Sequence, residues 1–310
     1  MPDRGSGVKA NHRPGPWRSK SVTFDLAAYC GMQDKGVGAL IRAVNLVLMS
    51  VTISLWLTVG TGQAGAVVEF PNVWEQSQPP HLLGYLARPD GSGPFPAVVV
   101  LHGCNGFSGA SATIADRLKS LGYVALTIDS LGPRNSSSEC GHFFIGQATD
   151  AYAALRYLSQ QPFVDPDRVA VLGNSMGGSS ALFDVERGAI EKMFDRKFRA
   201  AIAYYPSCRG HSAIMSAPTM IVIGDADDWN PASACREMAA QPRDEGARVD
   251  LYVYPGAYHG FNLRELRPGI RVLGHWLEYN KPAALDAWEK VRTFLAEIPA
   301  NPTVDIPDAR

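Results

Sequence analysis

The sequence predicts an α/β fold in which helices pack on both faces of a mostly parallel central sheet. After residue 66, apolar runs of strand length alternate with segments whose apolar residues recur at the helical period. This alternation is typical of parallel strands joined by helices. Hydrophobic residues make up 46% of the 310 residues and charged residues 19%, a composition that supports a sizeable buried core.

Seven strands and five helices follow from this pattern. The predicted parallel strands are residues 96–102, 123–129, 168–173, 201–205, 219–224 and 249–254. An earlier run, residues 81–87, is predicted as an antiparallel edge strand. The predicted helices are residues 110–121, 145–160, 175–187, 231–245 and 282–298. The Pro-rich tail from residue 299 is expected to fray.

The charge balance and the motif content exclude several functions. The 29 Lys and Arg residues against 30 Asp and Glu residues give a net charge of -1, so we expect no nucleic-acid partner. The five cysteines stand singly, without the spacing of a structural zinc site. The sequence has no Walker loop, no G-x-G-x-x-G after a strand and no H-E-x-x-H, so no metal or cofactor is expected.

An uncharged apolar segment, residues 43–59, lies near the amino terminus. Lys35 and Arg42 precede this segment, and small residues follow it up to Ala64 and Ala66. A basic flank, an apolar stretch and an A-x-A site are the layout of a secretory signal peptide. The sequence therefore predicts cleavage after Ala66.

Cleavage there would leave residues 1–66 as an N-terminal extension with a signal peptide and residues 67–310 as a single domain. That domain is expected to be exported, to the periplasm or as a secreted protein, with no stable membrane partner. The alternative is a membrane anchor through residues 43–59, because 17 uncharged residues reach the lower limit for crossing a hydrocarbon core about 30 Å thick. Residues 1–31 are long and polar for the front of a signal, so Met32 is an alternative start.

The segment Gly173-Asn174-Ser175-Met176-Gly177 has the form G-x-S-x-G. By chance this pattern occurs about 0.1 times in a chain of this length, so alone it is weak. Here it stands between an apolar strand and a helix rich in small residues, where glycines permit a sharp turn that exposes the serine hydroxyl. Ser175 is therefore the predicted nucleophile, with a structural Gly-Ser turn as the alternative.

A serine nucleophile needs a base that takes its proton and a carboxylate that orients the base. His259, just after the last predicted strand, is the predicted base, and a surface loop histidine is the alternative. The segment GDADDWNP offers Asp225, Asp227 and Asp228 after a strand. One of these aspartates is expected to orient His259, and the others to serve in a turn or at a helix start.

Acyl transfer also requires two backbone N–H donors for the oxyanion. The first is expected from Met176, which follows the nucleophile, and the second from the loop HGCNG after the first central strand. His102 in this loop is interpreted as structural, because it ends a strand and the site already has its base. Cys104 is an alternative nucleophile, but no strand-to-helix turn surrounds it.

Four cysteines remain after cleavage, and export would place them where disulfides persist. Each falls in or near a loop at the carboxyl end of a predicted strand. Cys208 follows one strand and Cys235 opens the helix after the next, while Cys104 and Cys140 follow another adjacent pair. We expect the bridges Cys208–Cys235 and Cys104–Cys140, and the other two pairings of four cysteines stay open.

Together these motifs resemble the dienelactone hydrolase family within the α/β-hydrolase fold, over about residues 82–298. The resemblance is carried by VVVLHGCNG, DSLGPR, GNSMGG, GDADDWNP and YPGAYHGF. In that family the acid lies three residues beyond the glycine that ends its strand, with a proline four further on. The resemblance therefore implies Asp227, between Gly224 and Pro231, and it implies Cys104 as the second oxyanion donor.

The sequence also departs from the family's founding enzymes. Those enzymes use a cysteine nucleophile with a glutamate in the oxyanion loop, whereas this chain has Ser175 and, at the glutamate's place, Gly103. They hold the substrate carboxylate with arginines, and the resemblance implies that role for Arg134 and Arg264 near the site. Alternatively, each arginine is solvated or pairs with a local acid such as Glu265.

These observations predict an exported serine hydrolase that cleaves a small-molecule carboxylic ester or lactone through an acyl-enzyme. One alternative is a peptidase or amidase on the same triad, because triad geometry does not choose the leaving group. The other is a secreted binding protein on a hydrolase scaffold that no longer catalyses. The complete set of Ser175, Asp227 and His259 in chain order speaks against this second alternative.

Overall fold

The computed structural model describes residues 65–73, 78–141, 144–242 and 245–298. The predicted signal segment, residues 43–59, and the tail from residue 299 lie outside these residues. Within them, no helix is both long and apolar enough to cross a membrane.

Ten strands lie in the described residues. They are β1 (Ala66–Pro71), β2 (His81–Ala87), β3 (Phe95–Leu101), β4 (Val124–Asp129), β5 (Val164–Asn174), β6 (Ala201–Tyr204), β7 (Thr219–Gly224), β8 (Val249–Tyr254), β9 (Ile270–Val272) and β10 (His275–Leu277). Eight of them form one sheet in the order β1-β2-β4-β3-β5-β6-β7-β8. Strand β2 is antiparallel to both of its neighbours, and all other neighbouring pairs are parallel. Strands β9 and β10 form a separate antiparallel pair.

Five α-helices connect or follow the strands. They are α1 (Gly109–Ser120), α2 (Ile145–Ser159), α3 (Met176–Val185), α4 (Ala232–Ala239) and α5 (Lys281–Ala296). The step from β3 to β4 runs opposite along the sheet to the later steps, so right-handed crossovers place α1 on one face and α2, α3 and α4 on the other. Arg117 of α1 lies over the ring of Trp288 of α5, which joins α5 to the face of α1.

The predicted fold class, a mostly parallel sheet with helices on both faces, is confirmed. Strands β7 and β8 have the predicted bounds, and the other predicted parallel strands are all present. Helix α4 is shorter than predicted, because Gln241 precedes Pro242 and the residue before a proline disfavours helical geometry.

One correction concerns the antiparallel edge of the sheet. Residues 81–87 form β2 as predicted, but β2 is not the edge, because β1 covers it. The sequence of β1 carries a weak strand signal, since only Phe70 among its residues is buried. Ala66, the last residue before the predicted cleavage point, already pairs with Leu86 of β2.

The parallel part of the sheet brings the predicted functional loops to one edge. Strand β3 is buried along its last five residues, as expected for a strand covered on both faces. The loops that follow β3, β5, β7 and β8 all leave the sheet at the carboxyl edge, where ligands bind in open α/β sheets. Those loops contain the oxyanion loop, Ser175, Asp227 and His259.

Two disulfides lie beside this edge. Cys104 is joined to Cys140, and Cys208 is joined to Cys235, which are the two expected pairings. The first bridge ties the loop after β3 to the loop after β4. The second ties the loop after β6 to helix α4, so loops that surround the predicted nucleophile are cross-linked on two sides.

Candidate active site

Ser175 lies in a sharp turn between β5 and α3. Its backbone has φ 55° and ψ -116°, a conformation that non-glycine residues rarely adopt. A Cβ at Gly173 would lie 2.0 Å from the carbonyl oxygen of Gly177, and a Cβ at Gly177 would lie 2.5 Å from that of Leu101. Only glycine fits at these two positions, which explains the G-x-S-x-G pattern in physical terms.

Ser175, His259 and Asp227 form a continuous chain of hydrogen bonds. The Ser175 hydroxyl donates to Nε2 of His259 across 2.9 Å, and Nδ1–H of His259 donates to Oδ2 of Asp227 across 2.8 Å. Ser175 follows β5, Asp227 follows β7 and His259 follows β8, so three separate loops contribute one residue each. The structure thus brings together the three residues predicted as nucleophile, acid and base.

The neighbouring aspartates have other partners. Oδ1 of Asp227 accepts hydrogen bonds from the backbone N–H groups of Trp229 and Asn230, at 3.0 and 2.8 Å, so both of its carboxylate oxygens are engaged. Asp225 accepts from the N–H of Gly256, and Asp228 accepts from a backbone N–H in β10. Among the three candidates, Asp227 alone contacts His259.

The imidazole of His259 is held between two aromatic side chains. The ring of Tyr205 lies 4.6 Å from it and that of Trp229 lies 5.2 Å from it, and His259 is only 3% exposed. The Tyr205 hydroxyl donates to Oδ1 of Asn262 across 2.7 Å, which fixes the tyrosine in turn. Neither ring was predicted from the sequence as part of the site. Two features of the sequence could have indicated them: one ring directly follows strand β6, and the other lies two residues after Asp227.

Two backbone N–H groups lie beside Ser175. Met176 is the first residue of α3 and Cys104 follows β3; neither N–H donates to any residue in the described part of the chain. Both residues line the same cavity as Ser175. A Cβ built on Gly103 would lie 3.8 Å from Cβ of Ser175, so the loop after β3 packs directly against the serine. The two N–H groups predicted for an oxyanion are therefore unpaired, and both belong to residues in the wall of the Ser175 cavity.

His102 holds the loop after β3 in place. Nδ1–H of His102 donates to the carbonyl of Gly103 across 2.7 Å, and Nε2 accepts from the N–H of Ser130 across 3.1 Å. In a trans peptide the C=O and N–H point in opposite directions, so holding the Gly103 carbonyl also sets the direction of the Cys104 N–H. Burial lowers the pKa of His102, which keeps the ring neutral as this tautomer. Its predicted structural role fits these contacts.

A cavity of about 690 Å³ opens at Ser175. Besides Ser175 and the two N–H donors, its walls carry hydrophobic, acidic and basic side chains. They include Phe183, Trp229, Glu139, Glu186, Arg187, Arg209 and His211. This volume suits a small organic substrate.

Neither arginine implied by the resemblance lies in the walls of this cavity. Both amino groups of Arg134 donate to the carboxylate of Asp150, at 2.8 and 2.9 Å, and the Asp150 side chain is fully buried. Arg134 thus forms an ion pair with a buried acid from helix α2. This agrees with the alternative interpretation from the sequence, in which the arginine pairs with an acid of the protein. Arg264 lines a different cavity, between α1 and α5. The implied substrate role is therefore corrected for both residues.

Arg209 is an unpaired cation of the site that was not predicted from the sequence. It lines the Ser175 cavity, it is exposed, and it has no hydrogen-bond or ion-pair partner among the described residues. Arg187 and His211 in the same cavity are paired instead with Glu245 and Glu186, each at 2.8 Å. Arg209 adjoins the bridged Cys208, and nothing in the local sequence pattern distinguishes it from a solvated loop arginine.

In the part of the chain that the structure describes, no group of three or more His, Cys, Asp or Glu side chains is placed to hold a metal ion.

Comparison with known proteins shows the family of this chain. The family model of the dienelactone hydrolase family matches residues 82–299, so the chain belongs to that family, and the prediction of an ester or lactone hydrolase is confirmed at that level. Similar proteins include one from Bradyrhizobium sp named "Probable 2-oxo-3-(5-oxofuran-2-ylidene)propanoate lactonase". It is 28% identical over 237 residues, which cover 69% of this chain and 88% of that protein.

Solved structures show the same fold. A dienelactone hydrolase-like promiscuous phosphotriesterase from metagenomic libraries superposes with a TM-score of 0.62 at 20% identity, covering 76% of this chain and 99% of that one. An esterase from Thermogutta terrifontis with bound propionate gives a TM-score of 0.58 at 21% identity, covering 78% and 97%. The α/β-hydrolase fold is thereby confirmed.

The lowered pKa of His102 predicts a pH dependence of stability. As the pH falls below about 6.5, unfolded His102 takes up a proton more readily than the folded residue, because burial lowers the pKa of the folded residue, so the free energy of unfolding falls. The loss is at most about 1.4 kcal/mol per pH unit for this group. Chemical denaturation of the wild type and of His102→Gln at about pH 7 and about pH 5.5 measures it. The wild type should lose more stability than the variant, and equal losses would contradict the assignment.

Proposed function

We propose that the protein hydrolyses a small carboxylic ester or lactone through an acyl-enzyme on Ser175. The observation that carries this proposal is the hydrogen-bond chain from the Ser175 hydroxyl through His259 to Asp227, beside two unpaired N–H groups. Membership of the dienelactone hydrolase family supports the same reaction class. The hydrogen-bond geometry supports the roles proposed for the individual residues.

In the first step the Ser175 oxygen attacks the carbonyl carbon of the substrate while Nε2 of His259 takes the hydroxyl proton. The carbonyl oxygen becomes an oxyanion, and the N–H groups of Met176 and Cys104 donate to it. Asp227 keeps the proton on Nδ1 of His259 and stabilises the imidazolium that forms.

In the second step the tetrahedral intermediate collapses and the bond to the leaving oxygen breaks. The imidazolium of His259 gives its proton to that oxygen, which leaves as an alcohol or, from a lactone, stays attached as the hydroxyl of the acyl group. A water molecule then repeats the attack with His259 as base, releasing the acid and restoring the Ser175 hydroxyl.

The cavity supports a substrate with an anionic group. The Bradyrhizobium relative is named for a lactone that carries a propanoate, and Arg209 is an unpaired guanidinium in the wall of the Ser175 cavity. A guanidinium binds a carboxylate through two parallel hydrogen bonds. Our proposal is therefore that Arg209, rather than Arg134 or Arg264, binds a carboxylate of the substrate.

Export remains part of the proposal. The apolar segment at residues 43–59 and the A-x-A at Ala64 to Ala66 support a cleaved signal peptide, and the two disulfides suit an oxidising compartment. Expression in a bacterial host followed by amino-terminal sequencing should find a mature chain that begins at Val67. A chain that keeps residues 43–59 and sediments with membranes would indicate the anchor instead.

The assignment of the acid predicts unequal effects of three substitutions. Asp227→Asn should lower kcat by about 10⁴, because an amide favours the wrong tautomer of the base. Asp225→Asn and Asp228→Asn should retain most activity, since these carboxylates accept hydrogen bonds from backbone N–H groups and do not contact His259. Turnover of p-nitrophenyl esters by the three purified variants measures the difference. Equal losses in all three would move the acid elsewhere.

The role of Arg209 predicts a change in substrate preference. Arg209→Gln should raise KM for a small ester with a free carboxylate about tenfold or more, because a charge-assisted hydrogen bond is lost, and leave its neutral analogue nearly unchanged. Added salt should reduce the difference, since Arg209 is exposed. Arg236→Gln is the matched control, because Arg236 of helix α4 is exposed and lines neither the Ser175 cavity nor the cavity that contains Arg264. Equal effects on both substrates would refute the role of Arg209.

A further inference from the structure

A second cavity, of about 420 Å³, lies between helices α1 and α5 and the segment that follows His259. None of its lining residues belongs to the walls of the Ser175 cavity. Its basic side chains are Arg117 of α1 and Arg264, and its acidic side chain is Glu265. Arg264, one of the two arginines that the resemblance assigned to a substrate carboxylate, therefore lines a cavity separate from the Ser175 cavity.

The two guanidinium groups in this cavity lack partners of opposite charge. Arg117 is half-buried, with its guanidinium 3.8 Å from the centre of the Trp288 ring. Neither Arg117 nor Arg264 makes a hydrogen bond or an ion pair with any residue that the structure describes. In contrast, Arg134 and Arg187 each bind a carboxylate directly.

A half-buried arginine without a counter-charge is energetically unfavourable. Burial lowers the pKa of Arg117, and the charge of the neighbouring Arg264 acts in the same direction, although Tyr204 opposes it. Glu265, exposed at the rim, offsets one of the two positive charges. The cavity therefore carries a formal charge of about +1, which a monoanion would neutralise.

The remaining walls define what else the ligand must contain. Tyr204 is 3% exposed, and its hydroxyl has no hydrogen-bond partner among the described residues, so it is available as a donor. Apolar side chains make up much of the rest of the wall; they are Ala110, Ile114, Leu172, Leu263 and Ala284. A ligand that satisfies both parts has one anionic group and a compact apolar body.

We propose that this cavity is a second binding site, which takes a small organic monocarboxylate such as an aromatic acid. The carboxylate binds Arg117 and Arg264, and the apolar body packs against Ile114 and Leu263. The site is connected to the base through Asn262, which lines the cavity and accepts from the Tyr205 hydroxyl across 2.7 Å, while Tyr205 packs against His259.

Calorimetric titration of the Ser175→Ala protein with benzoate tests the proposal without any turnover. Benzoate should bind saturably, whereas neutral benzamide and the small anion acetate should each bind at least about tenfold more weakly. Arg264→Gln, an exposed substitution that should leave the fold intact, should weaken benzoate binding by a similar factor, and Arg117→Gln should do the same.

Arg209→Gln is the matched control, because it removes the unpaired cation of the Ser175 cavity, so benzoate binding that persists in this variant belongs to the second cavity. Absence of saturable binding would overturn the proposal. So would loss of binding in Arg209→Gln alone, which would place benzoate in the Ser175 cavity. Equal binding of benzamide would refute the anion site, and equal binding of acetate would refute the apolar part. These outcomes do not depend on hydrolysis, since the nucleophile is absent.

Discussion

The strained backbone at Ser175 is the constraint on which the rest of the site depends. A non-glycine residue at φ 55° and ψ -116° persists only where the surrounding structure enforces it. Here the enforcement comes from close packing of backbone against backbone: Gly173 against the carbonyl of Gly177, and Gly177 against the carbonyl of Leu101. The same turn exposes the hydroxyl, starts helix α3 and leaves the Met176 N–H unpaired beside it.

The other functional groups are positioned relative to this turn by the parallel sheet. Strands β3, β7 and β8 end at the same edge as β5 and deliver the Cys104 N–H, Asp227 and His259. Each group is then fixed by contacts that leave little freedom: His102 holds the Gly103 carbonyl, and His259 packs between two aromatic rings. The two disulfides cross-link the surrounding loops, so the site is largely assembled before a substrate arrives.

The features that could be predicted from the sequence are those that depend on the pattern of backbone elements and on the order of residues along the chain. Strand–turn–helix context identified Ser175, and chain order identified His259. The resemblance to the family then selected Asp227 among three aspartates, and the contacts found agree with these three choices. The contacts of long side chains were harder to predict, because they depend on residues far away in the chain. Arg134 binds Asp150 of helix α2, and Arg264 lines the cavity beside α1. Arg209 was not predicted because the sequence does not show whether a loop arginine has an acidic partner; only the structure shows that this one has none among the described residues. Strand β1 was missed because only one of its side chains is buried.

The central claim, that Ser175 is a nucleophile activated by His259, is tested most directly by covalent labelling. A dialkyl p-nitrophenyl phosphate should inactivate the protein, because attack of the Ser175 oxygen on phosphorus expels p-nitrophenolate and leaves an adduct that mimics the tetrahedral intermediate. Peptide mass spectrometry should find the dialkylphosphoryl group on Ser175. Ser175→Ala should take up no label, and His259→Gln should be labelled far more slowly, because the base that removes the hydroxyl proton is gone. An adduct on another residue, or an active protein that resists labelling, would contradict the account.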